Sequence, residues 1–311
     1  MHLLIPFAHC SSEGCAQALR TLQLPRLQKL LARLQADAAQ HDDPLSLSPP
    51  HERALAQALG LPLADGLIPW AALQAHQVLG ADGAWGFITP CHWHLGSQLV
   101  VMNGSALNDL QEPQSRALLA AMQPYFAEDG ITLHYQAPTR WLAQSEHFES
   151  LATASLDRAS GCDVSDWLPR QAGAAALRRL QSEMQMLLHD HPVNESRSAL
   201  GLPIVNAFWL SGTGRIAPGA GAPVRQSPTV VSSLREPALS EDWPAWAQAW
   251  QGLDATECAA LLQALDQGHH VELTLCGERA AQTLRSHSSG ALTRLRRLFQ
   301  TPSLRRFLEP L

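Results

Sequence analysis

Lysine is almost missing from this sequence: of 22 basic residues only Lys29 is a lysine, and the rest are arginines. That count removes much chemistry. A phosphate-binding P-loop needs a lysine behind its glycines, and no G-x-x-x-x-G-K-[ST] run occurs. Schiff-base catalysis would have only Lys29, which lies in the helical stretch LPRLQKLLARL. Charge is sparse at 16%, and the net charge of −6 is not that of a polyanion binder. Nucleic acid is therefore disfavoured as a partner, except through the arginine-rich C-terminal segment. No apolar run reaches the roughly 18 residues that span a bilayer, and MHLLIPFAHC lacks a positively charged leader, so no membrane insertion is expected. The six cysteines form no C-x-x-C pair in a chain too long to need disulfide staples, which points to a reducing cytoplasmic setting.

What is present reads as a globular protein, with 46% hydrophobic residues over 311 positions. Residues 2–8 form a short apolar strand that leads through a turn into helix-spaced leucines over 19–34. Helices are expected over 51–59, 69–79, 112–127 and 174–190, and a hairpin over 85–102 broken at Gly96-Ser97. Paired strands follow around Ala137-Pro138, and PIVNAFWL from Pro203 reads as a buried strand. Interleaved helices and strands predict an α/β or α+β architecture, one mixed sheet flanked by helices. The division expected from composition is a main domain over 1–210, a glycine- and proline-rich loop or linker over 211–240, and a C-terminal helical segment with one strand over 241–311, packed on the main domain.

Polar residues concentrate between 183 and 206. On a helical projection Gln185 and His189 are i,i+4 neighbours able to face one ligand, with Glu183 flanking the apolar arc. Pro192 ends that helix, and Asn194 is a candidate N-cap for the next turn through Arg197. Glu183, Gln185, His189, His191, Asn194, Arg197 and Asn206 are therefore the ligand-binding candidates, against the plainer alternative that they satisfy helix ends and a buried network. His92 and His94 share a strand face in CHWH and are weak metal candidates, lacking the third and fourth ligands a zinc site wants. Gly212-Thr213-Gly214 resembles half of a phosphate-cradling loop, but a Pro- and Gly-rich segment follows instead of a helix. No G-x-S-x-G elbow occurs, so no nucleophile can be named. From Arg285 onward, six arginines accompany Leu292, Leu295, Leu298 and Phe299 at helical spacing, an amphipathic segment that either docks on a partner or lies on the protein's own body.

At ExQMLLHxHPVN, continuing through Arg197, Gly201, Asn206, Trp209, Gly212 and Gly214, the sequence resembles the RpfE-type regulatory protein family of proteobacteria. HLLIP, the strand around Trp85, Trp141 and LTLCG are similar in kind, so the resemblance spans most of the chain. Members are often labelled cofactor-independent phosphoglycerate-mutase-like, which implies a distant, degenerate relative of the alkaline-phosphatase-like core. That chemistry would need two divalent metals held by aspartates and histidines around a serine nucleophile. Here the first strand ends Ile5-Pro6-Phe7-Ala8 without a carboxylate, and Asp82-Gly83 and Asp129-Gly130 fall at turns. The expectation is a regulatory-type protein that binds a small ligand or protein partner without a cofactor. The alternative is a metal-dependent phosphoryl-transfer enzyme.

Overall fold

The computed structural model describes residues 1–96, 99–103, 107–216, 227–287 and 303–311. The chain folds as two compact units. Unit 1 combines Met1–Leu45, Pro49–Leu59 and Pro223–Leu311, and unit 2 comprises Ser46–Ser48 and Gly60–Ala222. This differs from the linear 1–210, 211–240, 241–311 division expected from composition. The reason is strand pairing: the first strand finds its partner near the C-terminal end of the chain.

In unit 1 the sheet is built from β1 (His2–Ile5), β2 (Gln35–Ala36), β3 (Gln40–His41), β9 (Thr229–Val230), β10 (Glu272–Cys276) and β11 (Ala280–Arg285). The order is β2-β11-β10-β1-β9, with β3 also on β11. β1 is parallel to β10 and β9, while β11 is antiparallel to β10, so the sheet is mixed as expected. The expected single C-terminal strand is thus two, since residues 280–285 form a strand and not a helix.

Period-two alternation sorts the side chains of this sheet into two unlike faces. Leu3, Ile5, Leu273, Leu275 and Leu284 line one face and join a single buried core. That core is completed by α1 (Glu13–Thr21), α2 (Pro25–Arg33), α11 (Trp243–Ala255) and α12 (Glu257–Asp266). Pro25 splits the leucine run expected as one helix over 19–34 into α1 and α2, because proline is tolerated only in a helix's first turn. The residue before α2 offers no side-chain cap; instead Asp254 of α11 accepts from the backbone N–H of Arg26 and Leu27, at 3.3 and 2.7 Å. Trp246 and Trp250, one turn apart on α11, meet edge to face.

Unit 2 holds an antiparallel sheet of β4 (Ala84–Leu95), β5 (Val100–Asn103), β6 (Thr132–Ala137), β7 (Arg140–Gln144) and β8 (Ala207–Arg215). The expected hairpins are present as β4–β5 and β6–β7. One face carries Ile88, Leu133, Trp141, Phe208 and Leu210 into a core with α5 (Glu112–Glu128) and α8 (Ala175–His189). Trp85 and Leu142 point the other way, onto the alanines of α4 (Trp70–Leu79).

Parts of the expected loop over 211–240 are regular structure. Residues 211–215 continue β8, 229–230 form β9 and 235–239 form α10 (Arg235–Leu239), while 217–226 lie outside the described residues. Gly212 and Gly214 are glycines for steric reasons. Both have positive φ, and a Cβ on Gly214 would lie 2.9 Å from the Leu67 carbonyl oxygen. Thr213 between them is fully buried and donates to the Leu151 carbonyl at 2.6 Å, so the Gly-Thr-Gly segment is strand interior and cradles no phosphate. The amphipathic segment with Leu292, Leu295, Leu298 and Phe299 also falls outside the described residues.

Candidate functional site: a polar cleft on the mixed sheet

The second face of the unit 1 sheet changes character along its strands. Cys276, Ala281 and Leu4 are buried against Ala54 and Leu55 of α3 (Pro50–Leu59). The next rung toward the other edge pairs Thr274 with Thr283, and the last aligns His2, Glu272 and Arg285 across three strands. Where the face turns polar, a cleft of ≈ 420 Å³ opens between the sheet, α3 and the segment bearing Asp37 and Gln40. This lies within the roughly 300–1,000 Å³ usual for small-molecule sites.

The polar groups in the cleft are connected to one another. His2 Nε2 lies 2.8 Å from Thr274 Oγ1, which lies 3.0 Å from Thr283 Oγ1. The other ring nitrogen, Nδ1, faces Glu272 at 3.8 Å. Burial pulls the His2 pKa below its ordinary value, with Glu272 opposing that effect and Arg285 adding to it. A neutral His2 can accept from the Thr274 hydroxyl while Thr283 donates to Thr274. Arg285 bridges the two acids, its Nη1 on Asp37 and its Nε 3.3 Å from Glu272. Gln57 of α3 and Gln40 add amide groups, and Ala54 and Ala58 leave room above the sheet. The cleft thus offers hydroxyls, amides, a neutral imidazole and charges of both signs.

The ligand-binding candidates expected from the sequence lie in unit 2, and the structure divides them. Asn194 is buried and wholly engaged: Nδ2 donates to the Leu188 and Val205 carbonyls at 2.7 Å each, and Oδ1 accepts from Val205 N–H at 2.9 Å. It lies inside α9 (Pro192–Ala199) and does not cap it. The cap is His191, whose Nδ1 accepts from Val193 N–H and whose pKa burial lowers. Arg197 is 0% exposed, donating to the Pro203 carbonyl and to Asp109 at 2.7 and 2.8 Å. Asn206 exchanges two hydrogen bonds with the backbone of Trp93. These three side chains stitch α9 and the approach to β8 in place.

Glu183, Gln185 and His189 do not converge with them. Glu183 pairs with Arg179 one turn away, Gln185 is exposed, and His189 is 80% exposed beside Asp190. His92 binds the Ile204 carbonyl through Nδ1 at 2.8 Å, and His94 is exposed. Among the described residues no three of His, Cys, Asp and Glu come together to hold a metal ion.

The cleft leaves little trace in the sequence because its residues come from four separate segments. One trace of it was readable: in VELTLC the polar Glu272 and Thr274 alternate with leucines, the mark of a strand with one polar face.

No protein-family model matches the chain, and no curated protein matches it. Among solved structures it is similar to a cofactor-independent phosphoglycerate mutase from Thermoplasma acidophilum, at 13% identity and a TM-score of 0.37 over 100% of this chain and 99% of that one. It is similar also to the PH0037 protein from Pyrococcus horikoshii, at 12% identity and a TM-score of 0.43 over 95% and 92%. At these TM-scores the likenesses define neither fold detail nor chemistry, which rest on this chain's own residues. The RpfE-type resemblance has no counterpart among these comparisons.

Proposed function

We propose that this chain is a binding protein for a small polar molecule, and that its site is the cleft bounded by His2, Asp37, Glu272, Thr274, Thr283 and Arg285. The observation that supports this is the continuous hydrogen-bonding wall from His2 through Thr274 to Thr283, on a sheet face that α3 covers only in part. Both signs of charge in the same wall suit a zwitterion such as a free amino acid, or a neutral polyol. A regulatory role of the kind implied by the family resemblance would act through occupancy of this site. The phosphoryl-transfer alternative gains no support from the described residues, which bring no metal-ligand set together.

Thermal denaturation against a panel of free amino acids and monosaccharides tests the reading. A ligand present at 100 times its Kd stabilises by about 2.7 kcal/mol, a readily measured rise in Tm. At least one compound should raise the Tm, and Thr283→Val and Glu272→Gln should each remove that rise. No rise with any compound, or one that survives both substitutions, would overturn the proposal.

A further inference from the structure

Beyond β1 the chain makes a turn that the cleft does not use. Phe7 adopts φ 55, an uncommon left-handed conformation for a residue with a side chain. It is held there on two sides, since Trp246 Nε1 donates to the Phe7 carbonyl and Ala8 N–H donates to Cys276. The turn brings Cys10 onto Cys15, which sits in the first turn of α1. Cys10 N–H donates to Cys15 Sγ at 3.3 Å, which places the two cysteines against each other. The intervening loop is fixed as well: Ser11 donates twice to Glu278, and Ser12 caps α1 by accepting from Cys15 N–H. A Cβ on Gly14 would lie 2.3 Å from the Trp243 indole, so that ring rests directly on the first turn of α1.

The other cysteines differ. Cys91, Cys258 and Cys276 are buried, and burial pushes their thiols up, Cys258 to about 12. Cys162 is exposed. In the pair, Cys15 is buried while Cys10 is partly exposed. The contact with Cys10 holds the Cys15 thiol below its ordinary value, while the same contact and burial push the Cys10 thiol up, so of the two sulfurs Cys15 is the one that accepts a proton from Cys10 as Cys10 reacts.

We propose that Cys10 and Cys15 form a redox-active dithiol that exchanges with low-molecular-weight disulfides of the glutathione type. The accessible Cys10 sulfur attacks the external disulfide, its proton passing to Cys15 as the new S–S bond forms and one glutathione thiolate leaves. That thiolate takes the proton from Cys15. The Cys15 thiolate then displaces the second glutathione from Cys10, leaving the Cys10–Cys15 disulfide, one glutathione thiol and one thiolate. Two protein thiols are oxidised and one disulfide is reduced. This site is independent of the cleft and of its ligand.

The full-length protein, equilibrated with oxidised glutathione in about tenfold excess over reduced, is alkylated, digested with trypsin and mapped by mass spectrometry. Residues 1–20 form one tryptic peptide that carries both cysteines. That peptide should be unalkylated and lighter by two hydrogens, while Cys162 takes a glutathione adduct. Cys15→Ser should trap a stable glutathione adduct on Cys10, and Cys10→Ser should leave Cys15 unmodified. The wild-type result needs no variant to fold. Two alkylatable thiols in this peptide while Cys162 is modified, or separate adducts on Cys10 and Cys15, would overturn the proposal.

Discussion

Asn194 and Val205 hold each other by both backbone groups of the valine: the Asn194 amide oxygen accepts Val205 N–H, and its nitrogen donates to the Val205 carbonyl. A side chain thereby completes the backbone pairing of a segment that precedes β8 and belongs to no strand. A third bond from the same nitrogen to Leu188 closes the end of α8. An asparagine in this position has no hydrogen-bonding capacity left to offer a ligand beyond one lone pair.

Asn194→Ala strands two buried backbone groups, the Val205 N–H and carbonyl, each worth about 1–3 kcal/mol when unsatisfied, while the Leu188 carbonyl keeps its bonds from Asp190 and His191. The expected loss is about 2–4 kcal/mol, read from the urea midpoint at unchanged m-value. Asn194→Asp should also destabilise, because it keeps the acceptor and loses both donors. An Asn194→Ala protein as stable as wild type would mean that Asn194 does not have this structural role.

Arg197 and Asp109 form an ion pair between a fully buried guanidinium and a half-exposed carboxylate. Arg197→Met is expected to cost about 2–3 kcal/mol, below the roughly 3–5 typical of a fully buried pair. Arg197 lowers the Asp109 pKa from its ordinary 3.8. A depressed carboxylate contributes stability above its unfolded pKa and loses it as pH falls through the folded value. Wild type should therefore lose more stability than Arg197→Met between pH 5 and pH 3, measured by urea midpoints. Equal losses would show that the pair carries no linkage.

Burial lowers the pKa of both His2 and His9 from 6.5. The unfolded chain then binds protons that the folded one refuses, so stability should fall as pH drops below 6.5 toward the folded values. Above 6.5 these groups contribute no slope. His9 carries a buried Nε2 without a hydrogen-bond partner, which adds nothing to stabilise its protonated form. Chemical denaturation across pH 7.5 to 5 should show a shallower slope in His2→Asn and His9→Asn than in wild type. A wild-type profile flat through this range would contradict the sign.

His189→Ala should change stability by less than about 0.5 kcal/mol, as expected for an exposed surface substitution, and should leave ligand-dependent thermal shifts intact. The contrast with Arg197 is the useful part. Both residues stand in one polar run of sequence, yet one is 0% exposed and the other 80%. Loss of a thermal shift in His189→Ala would return the binding site to the 183–206 segment.

Local order was legible wherever neighbouring residues dictate it. The apolar spacing of α8, the Glu112 start of α5 and the alternation of β4 follow from contacts within a few positions, and these elements are found where expected. Pro25 marked a helix start that the leucine periodicity around it obscured. Residues 280–285 are not set apart from the expected C-terminal helical segment because their alternation is interrupted by Ala280-Ala281, whose small side chains suit either state. The polar run over 183–206 was conspicuous in one dimension, but composition cannot tell a buried clamp from a site. That distinction depends on which carbonyls lie opposite, and for Asn194 and Asn206 they come from Val205 and Trp93.

The sequence by itself determined the α/β class, the extents of the longer helices and of the two hairpins, the shortage of lysine chemistry and the lack of a nucleophile motif, all properties of residue type and short spacing. Only the tertiary structure decided that β1 lies against β10, which puts His2 beside Thr274, 272 positions away. From that pairing follow the two units, the polar face and the cleft. The physical reason is that one register of a strand fixes which side chains share a face, and register between distant strands is settled by burial of the opposite, leucine-lined face.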